Sequence, residues 1–133
     1  MILVDSSVWI PYYRADGMKK IQDTVKKAIS LDLVAINGII VVEILSGISK
    51  NTEFNKVSSD FKGFHYVSLS MHDFFEASLL GSSLRSKGLT IPATDLMIAI
   101  SAIKNGNMLY HLDSYFDLIA KHTSLKSTNL SAL

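Results

Sequence analysis

The stretch "MILVDSS", residues 1–7, is a nearly continuous apolar run that ends in a carboxylate. Strands buried on both faces of a parallel sheet have this unbroken apolar character, whereas half-exposed strands alternate between apolar and polar residues. We therefore expect residues 1–7 to form a central parallel strand. Asp5 would then emerge where the strand ends, at the sheet edge where ligands bind in open parallel sheets.

The rest of the chain alternates between short apolar runs and helical patterns, which is typical of an α/β fold with a mainly parallel sheet. Further strands are predicted at residues 32–37, 64–69, 108–113 and 124–129. Helices are predicted at residues 18–30, 38–48, 52–62, 70–88, 91–106 and 114–122. Ser70 with Asp73 forms a capping-box pattern, and Gly88 and Gly106 are typical of helix ends. The pattern predicts a sheet with helices on both faces.

Composition limits the class of protein. A chain of 133 residues with 48% apolar residues predicts one folded domain, residues 1–133, rather than a disordered segment. The absence of cysteine excludes disulfides and thiolate metal sites and fits a reducing cytoplasm. No apolar run reaches the ~18 residues of a membrane span, and no cationic region precedes the first apolar residues, so we expect neither a membrane anchor nor a secretory signal.

A second carboxylate follows a predicted strand in the same manner as the first. Asp113 ends "MLYHLD", residues 108–113, as Asp5 ends the first strand. If the two strands are parallel neighbours, both carboxylates lie at one edge of the sheet. The alternative is that each aspartate only caps the helix that follows it, with Ser6 or Ser114 sharing that task.

Two further carboxylates lie within apolar helical segments. Glu43 is the only charge in "GIIVVEILSG", residues 38–47, and a charge on a mostly buried helix is costly unless it is paired or bound to a metal. Asp95 lies in "IPATDLMIAISA", residues 91–102, and its i+3 and i+4 neighbours Ile98 and Ala99 indicate an inward face. The alternatives are an exposed stripe for Glu43 and a favourable interaction with the helix dipole for Asp95.

Four carboxylates at one edge would repel one another. Two unit charges ~4 Å apart cost about 4 kcal/mol at an effective dielectric constant of ~20. Such a cluster persists if a cation neutralises it or if some of its members stay protonated. Oxygen ligands favour Mg²⁺ or Mn²⁺, and these ions suit the hydrolysis of phosphodiesters.

Four stretches together resemble the acidic sequence blocks of PIN-domain ribonucleases. They are "ILVDSSVWI", "VVEILSGI", "GLTIPATDLMIAISAIKNG" and "LYHLDSYFDLIAKH", in the family's order and over nearly the whole chain. The most similar group is the VapC-type toxins of bacterial and archaeal toxin–antitoxin pairs. The resemblance implies a three-layer α/β/α sandwich, endoribonuclease activity that depends on Mg²⁺ or Mn²⁺, a cytoplasmic location, a cognate antitoxin protein as partner, and a homodimer.

The resemblance also assigns residues, block by block. The four acidic positions fall on Asp5, Glu43, Asp95 and Asp113. Asp5, Asp95 and Asp113 are the expected metal ligands, and Ser7 takes the position of a small hydroxyl residue that commonly hydrogen-bonds an active-site carboxylate or water. The fourth block departs from the family pattern, because His111 replaces a residue that is often small and polar. Asp117, one helical turn after Asp113, is either a further ligand or a solvent-facing side chain.

Other residues are candidates for contacts with RNA or with a protein. Setting aside the four proposed site acids leaves 8 of the 12 acidic residues against 13 Lys and Arg, a balance of +5 that is compatible with phosphate contact. Arg85 and Lys87 precede the Asp95 segment and are the best placed for such contact. Trp9 and Tyr12 are candidates for partner contact, although they could instead stack bases or pack in the core. The segments "HDFFEASLL" and "LMIAISAI" are the expected dimer surface.

Two other functions fit parts of the pattern. Phosphatases of the haloacid type also place an aspartate after the first strand, but they need a second one two residues later, where this chain has Ser7. A catalytically idle binding module would use the acids only to hold a partner, but the presence of all four argues against lost activity. A short reading frame just upstream that encodes a DNA-binding antitoxin would favour the toxin hypothesis.

Overall fold

The structure, a computed structural model that describes all residues 1–133, alternates strands and helices along the chain. The strands are β1 (Ile2–Val4), β2 (Val34–Ile36), β3 (His65–Tyr66), β4 (Met108–His111) and β5 (Lys126–Asn129). The α-helices are α1 (Ser6–Tyr13), α2 (Lys19–Ser30), α3 (Gly38–Leu45), α4 (Asn51–Lys62), α5 (Met71–Ser86), α6 (Ala93–Asn105) and α7 (Ser114–His122). A short 3-10 helix, Leu130–Ala132, ends the chain. No helix has the length and apolar character that crossing a membrane requires.

The sheet has five strands in the order β3-β2-β1-β4-β5, and every pairing is parallel. The first strand is therefore central, as its apolar sequence predicts. Its neighbour is β4, with Val4 opposite Tyr110. Because both strands run in the same direction, their carboxyl ends meet at one edge of the sheet. The predicted α/β/α fold is confirmed.

Burial explains why β1 and α6 have so few polar residues. Leu3 and Val4 of β1 are fully buried, and so are Ile98, Ala99 and Ala102 of α6. Full burial of a Val, Leu or Ile side chain is worth about 1.5–3 kcal/mol relative to exposure. The inward face predicted for α6 is thus present, and it turns Asp95, one turn earlier, toward the interior of the fold.

The helix-end signals also appear as predicted. Asp73 and Ser70 form both bonds of the capping box at the start of α5, and Gly106 ends α6 in the left-handed region at φ 64°. The Lys104 Nζ of α6 lies 2.6 Å from Asp73 Oδ2, which ties α6 to the beginning of α5. This ion pair and the capping bonds hold the pKa of Asp73 at about 2.

One helix was not predicted. Residues 6–13 read as an aromatic stretch interrupted by Pro11, with no helical period of polar residues, yet they form α1. Asp5 caps this helix, and Trp9 anchors it within an aromatic cluster, stacked on Phe64 at 5.4 Å between ring centroids. The expectation that Trp9 contacts a partner is wrong, because its side chain is 0% exposed. Tyr12 is half-buried and remains a candidate for contact with a partner.

Candidate functional site: an acidic cleft at the carboxyl edge of the sheet

Asp5 and Asp113 lie at the ends of the two central strands. The Asp5 backbone N–H donates to the Tyr110 carbonyl at 2.9 Å, which continues the pairing of β1 and β4 to this point. Asp5 is 4% exposed, and each aspartate is also the N-cap of the helix that follows it. Asp5 and Asp113 each cap a helix, and both lie at the same sheet edge. The capping role therefore does not exclude a role in a shared site.

Ser7 links the two strand ends. Its backbone N–H and its hydroxyl both donate to Asp5 Oδ2, at 3.0 and 2.6 Å. The same hydroxyl accepts the Leu112 backbone N–H at 3.0 Å. Since both bonds to Asp5 use Oδ2, the carboxylate is fixed in one orientation while Oδ1 remains available. The Ser7 hydroxyl therefore fixes Asp5 relative to the loop that carries Asp113.

Glu43 joins the site from α3. Its Oε1 accepts the Ser6 hydroxyl at 2.8 Å, so two consecutive serines of α1 each hold one carboxylate. Sequence reasoning missed this role of Ser6 and gave it only a share in capping. Glu43 is exposed on α3, as the alternative of an exposed stripe on this helix predicted. Partial burial nevertheless raises the pKa of Glu43, and the nearby charge of Asp5 raises it further.

Asp95 completes the cleft from the first turn of α6. It is 8% exposed, and its carboxyl group lies close to that of Asp113, which is one cause of its raised pKa. Desolvation is the largest cause that raises the pKa of Asp95, to about 8, followed by the Asp113 carboxylate and then by the charges of Asp5 and Glu43. A buried carboxyl group beside other carboxylates is more stable with its proton, which is the direction of the shift at Asp95.

The charged side chains that converge in the cleft are all carboxylates. Burial is also the largest cause that raises the pKa of Asp5, against the lowering effect of its bonds from Ser7, and Asp113 raises it further. None of the ion pairs of the chain involves Asp5, Glu43, Asp95 or Asp113. No lysine or arginine of this protein therefore neutralises the cleft, and an external cation would be attracted to it.

The donor chemistry of these carboxylates fits a hard divalent cation. All four offer oxygen atoms, which Mg²⁺ and Mn²⁺ prefer. The side chains do not form a finished coordination shell, since no group of three acidic, His or Cys side chains is arranged to hold a metal ion as it stands. Glu43 accepts a hydrogen bond from Ser6, and the raised pKa of Asp95 favours a proton on that carboxyl group. An ion bound there would displace that proton.

The remaining predicted residues lie outside this arrangement. Arg85 and Lys87 are exposed at the end of α5, and no ion pair engages either. Asp117 accepts a hydrogen bond from Asn129 Nδ2 at 2.9 Å through Oδ2. Its Oδ1 lies 3.7 Å from Nε2 of the fully buried His111. Asp117 thus belongs to a neighbouring polar group rather than to the four converging carboxylates.

A groove runs beside the cleft between α1, α3 and α4, with a volume of about 390 Å³. Glu43 belongs both to this groove and to the cleft. Six of its ten lining residues are apolar, among them Ile10, Ile48 and Val57, and Arg14 adds a positive charge. Ile10 of the groove is 50% exposed, and Ile48 is partly exposed. The groove therefore presents uncovered apolar surface that reaches one of the site carboxylates.

Comparison with known proteins gives a consistent family. The PIN-domain family model matches residues 2–122. A VapC ribonuclease of Mycobacterium bovis, Mb1587, is 30% identical over 133 residues, which cover 97% of this chain and 98% of that protein. The phosphatase alternative is not supported, since the family match includes the first strand with its Asp-Ser-Ser sequence.

Solved structures show the same fold at low identity. FitAcB from Neisseria gonorrhoeae superposes with a TM-score of 0.81 at 19% identity, covering 100% of both chains. VapBC2 from Rickettsia felis, solved with a DNA fragment from the promoter of its genes, has a TM-score of 0.75 at 23% identity, covering 96% of this chain and 98% of that one. With the matched family model and the VapC relative, these observations show that the chain belongs to the PIN-domain family and is related to its VapC proteins.

Proposed function

We propose that this protein is an endoribonuclease that depends on a divalent metal ion and acts as the toxin of a toxin–antitoxin pair. The observation that carries the proposal is the cleft of four carboxylates, which no basic side chain of the chain neutralises. Membership of the PIN-domain family supports it, as does the VapC ribonuclease that is 30% identical. A catalytically idle binding module remains the alternative, and the experiments below distinguish the two.

Asp5, Asp95 and Asp113 are the residues that would hold the ion, either Mg²⁺ or Mn²⁺. When bound, such an ion polarises the phosphate and lowers the pKa of a coordinated water. Ser7 keeps the Asp5 carboxylate oriented through its two bonds to Oδ2. An ion bound there would displace the proton of Asp95, whose pKa is raised to about 8, so binding would be favoured as pH rises toward 8.

Glu43 is assigned a different task from the three ligands. It is the most accessible of the four carboxylates, and its raised pKa brings it nearer to neutrality, where a general base works best. We assign to Glu43 the orientation of the attacking water and the acceptance of its proton at Oε1 or Oε2. The Ser6 hydroxyl, 2.8 Å from Oε1, holds the side chain at the cleft.

RNA would approach over a surface that is basic outside the cleft. The chain has 13 Lys and Arg against 12 acids, so removing the four cleft acids leaves 13 − 8 = +5 for the remaining surface. Arg85 and Lys87 are exposed and free of ion pairs, so they can contact phosphates. Their role remains a proposal, because it follows from charge and chain position alone.

The partner protein would dock in the groove between α1, α3 and α4. VapBC2 is one of the structural neighbours, and another, VapBC-5 from Mycobacterium tuberculosis, is described as a member of the VapBC family of toxin–antitoxin systems, which supports an antitoxin as the occupant. The groove offers Ile10 and Ile48 for apolar contact and ends at Glu43. An antitoxin arginine that entered there could bond two cleft carboxylates at once through its planar fork. An antitoxin bound in the groove would therefore cover the cleft and also occupy its carboxylates.

A homodimer completes the proposal. Four apolar side chains of α5 are largely uncovered: Met71 is 76%, Phe74 45%, Phe75 68% and Leu79 65% exposed. Phe74, Phe75 and Leu79 fall in the predicted segment "HDFFEASLL", and Met71 directly precedes it. In the second predicted segment, Ile98, Ala99 and Ala102 are core residues. An isologous contact through α5 would bury the exposed stripe. Sedimentation at micromolar concentration distinguishes this dimer from a 14.7 kDa monomer.

Induced expression in a bacterial host tests the toxin function. Without the antitoxin, the wild-type chain should stop growth and fragment cellular RNA, and co-expression of the protein encoded just upstream should restore growth. The Glu43→Gln variant keeps the shape of the side chain but lacks the proposed base, so it should be tolerated at the same expression level. Unimpaired growth and intact RNA with the soluble wild-type protein would contradict the toxin function and favour the idle binding module.

A further inference from the structure

A second polar group lies directly behind the acidic cleft. It contains His111, Asp117 and Asn129, which belong to β4, α7 and β5. His111 is fully buried, and its ring packs against Phe116 with 5.2 Å between centroids. A buried imidazole at the end of the strand that delivers Asp113 needs an explanation, because an apolar side chain would fill the same space without a desolvation cost.

The hydrogen bond at Nδ1 fixes the tautomer of His111. The backbone N–H of Asp113 donates to Nδ1 at 3.2 Å, so Nδ1 must carry a lone pair and cannot carry a proton. In a neutral ring the single proton is then on Nε2. The ring is therefore neutral, because an imidazolium ring has no acceptor nitrogen. The His111 ring thus accepts a bond from the residue whose carboxylate lies in the cleft.

The other side of the ring faces Asp117. The Nε2 atom has no hydrogen-bond partner, and Asp117 Oδ1 lies 3.7 Å from it. This distance is slightly beyond a hydrogen bond, but the charge of the carboxylate favours the Nε2–H orientation. Asn129 Nδ2 in turn donates to Asp117 Oδ2 at 2.9 Å, which attaches the carboxylate to the edge strand β5.

We propose that His111 is a positioning residue that holds the Asp113 backbone through Nδ1, and that Asp117, braced by Asn129, serves the cleft by orienting His111 rather than by binding the metal ion. The inference rests on the proposed function insofar as Asp113 is a metal ligand. It explains why a histidine occupies this strand end. It also assigns a role to Asp117, whose side chain accepts a hydrogen bond from Asn129 and faces the His111 ring rather than the other carboxylates.

Nuclear magnetic resonance of the wild-type protein tests the tautomer without any assay of cleavage. Long-range correlations between ring protons and ring nitrogens distinguish a protonated nitrogen from an unprotonated one. The signal of His111 is identified by its loss in the His111→Asn variant, while those of His65, His72 and His122 remain. We expect Nδ1 of His111 to be unprotonated and Nε2 to be protonated at neutral pH. A ring protonated at Nδ1 would overturn the proposal, because it could not accept the Asp113 N–H.

Two substitutions separate the two ends of the ring. The amide oxygen of His111→Asn can take the place of Nδ1 as acceptor, whereas His111→Gln reaches the Nε2 position and leaves the Asp113 N–H without a partner. Residues that orient metal ligands typically contribute 10- to 100-fold to metal affinity or activity. We expect Mn²⁺ affinity, measured by calorimetry, to fall by about that factor in His111→Gln and by less in His111→Asn. Equal affinity in wild type and both folded variants would overturn the positioning role.

A double-mutant cycle decides how Asp117 acts. If Asp117 acts through the ring, Asp117→Asn should weaken Mn²⁺ binding in the wild-type background and cause no further loss in the His111→Asn background. If it is a ligand, the loss should be the same in both backgrounds, and that result would overturn the proposal. Asp23→Asn, on the exposed face of α2, is the matched control and should leave binding unchanged. Because the readouts are the ring nitrogens and Mn²⁺ binding, they stay informative even if the protein cleaves no RNA.

Discussion

The Asp5→Asn variant should lose RNA cleavage while its folded state is kept or becomes more stable. The asparagine oxygen can still accept the two Ser7 bonds that Asp5 Oδ2 now accepts, so α1 retains its cap. The charge that would hold the ion is gone, and stabilisation of transition-state charge by a metal ion is worth several kcal/mol. A loss of about 3 kcal/mol corresponds to a decrease in cleavage rate on the order of 10²-fold.

The stability of the same variant follows from the electrostatics of the cleft. Burial raises the pKa of Asp5, and the Asp113 charge opposes its ionisation, so the native carboxylate is held at a cost to the fold. Replacing it with a neutral side chain of the same shape removes that cost. The free energy of unfolding, measured by urea denaturation in EDTA, should be unchanged or higher. Asp16→Asn, in the exposed segment between α1 and α2, is the control and should change neither quantity. Cleavage at the wild-type rate by Asp5→Asn would contradict the assignment.

In EDTA, the protein should lose stability as pH rises from about 4 to about 8. The pKa of Asp95 is raised from 3.8 to about 8 in the folded protein, so the folded chain keeps a proton that the unfolded chain releases. The stabilisation from this group is complete below the unfolded pKa and is lost as pH rises through the folded pKa. His111 acts in the opposite direction, since burial lowers its pKa. The difference between wild type and Asp95→Asn isolates the Asp95 contribution, and the variant should lack this part of the pH dependence.

A divalent cation should reverse that loss. An ion at 100 times its dissociation constant stabilises the folded state by about 2.7 kcal/mol. With an unfolding entropy of about 2.1 cal/mol/K per residue, the melting temperature of a chain of this length should rise by roughly 10 °C. Thermal melts at pH 8 with Mn²⁺ and with EDTA measure the shift. An equal rise in Asp95→Asn would show that the cation stabilises the protein elsewhere.

The sequence predicted the parts of the site that follow from chain direction. The positions of Asp5 and Asp113 depend only on two apolar runs that form neighbouring parallel strands. The inward face of α6 was visible because Ile98 and Ala99 repeat at helical spacing after Asp95. These features depend on local sequence patterns and on the rule that neighbouring parallel strands end at the same edge of a sheet. They could therefore be predicted without a structure.

What the sequence did not predict depends on tertiary contact. Helix α1 has no helical period, because burial in an aromatic cluster rather than amphipathic patterning stabilises it. The sequence therefore left partner contact and core packing both open for Trp9, which lies in the core. The bond of Ser6 to Glu43 spans 37 residues along the chain, so no local pattern announces it. The strand around His65 is only two residues long, much shorter than the predicted 64–69, and its one partner in the sheet is β2.

That Asp5, Asp95 and Asp113 bind the same divalent cation is tested most directly by anomalous diffraction from crystals grown with Mn²⁺ at pH 8. We predict a manganese peak in the cleft, with carboxylate oxygens of all three residues at coordination distances of about 2.0–2.6 Å. Asp117 should lie outside this shell, still bonded to Asn129. A wild-type crystal with no manganese peak in the cleft, or with a peak held by only one of the three carboxylates, would contradict the shared metal site.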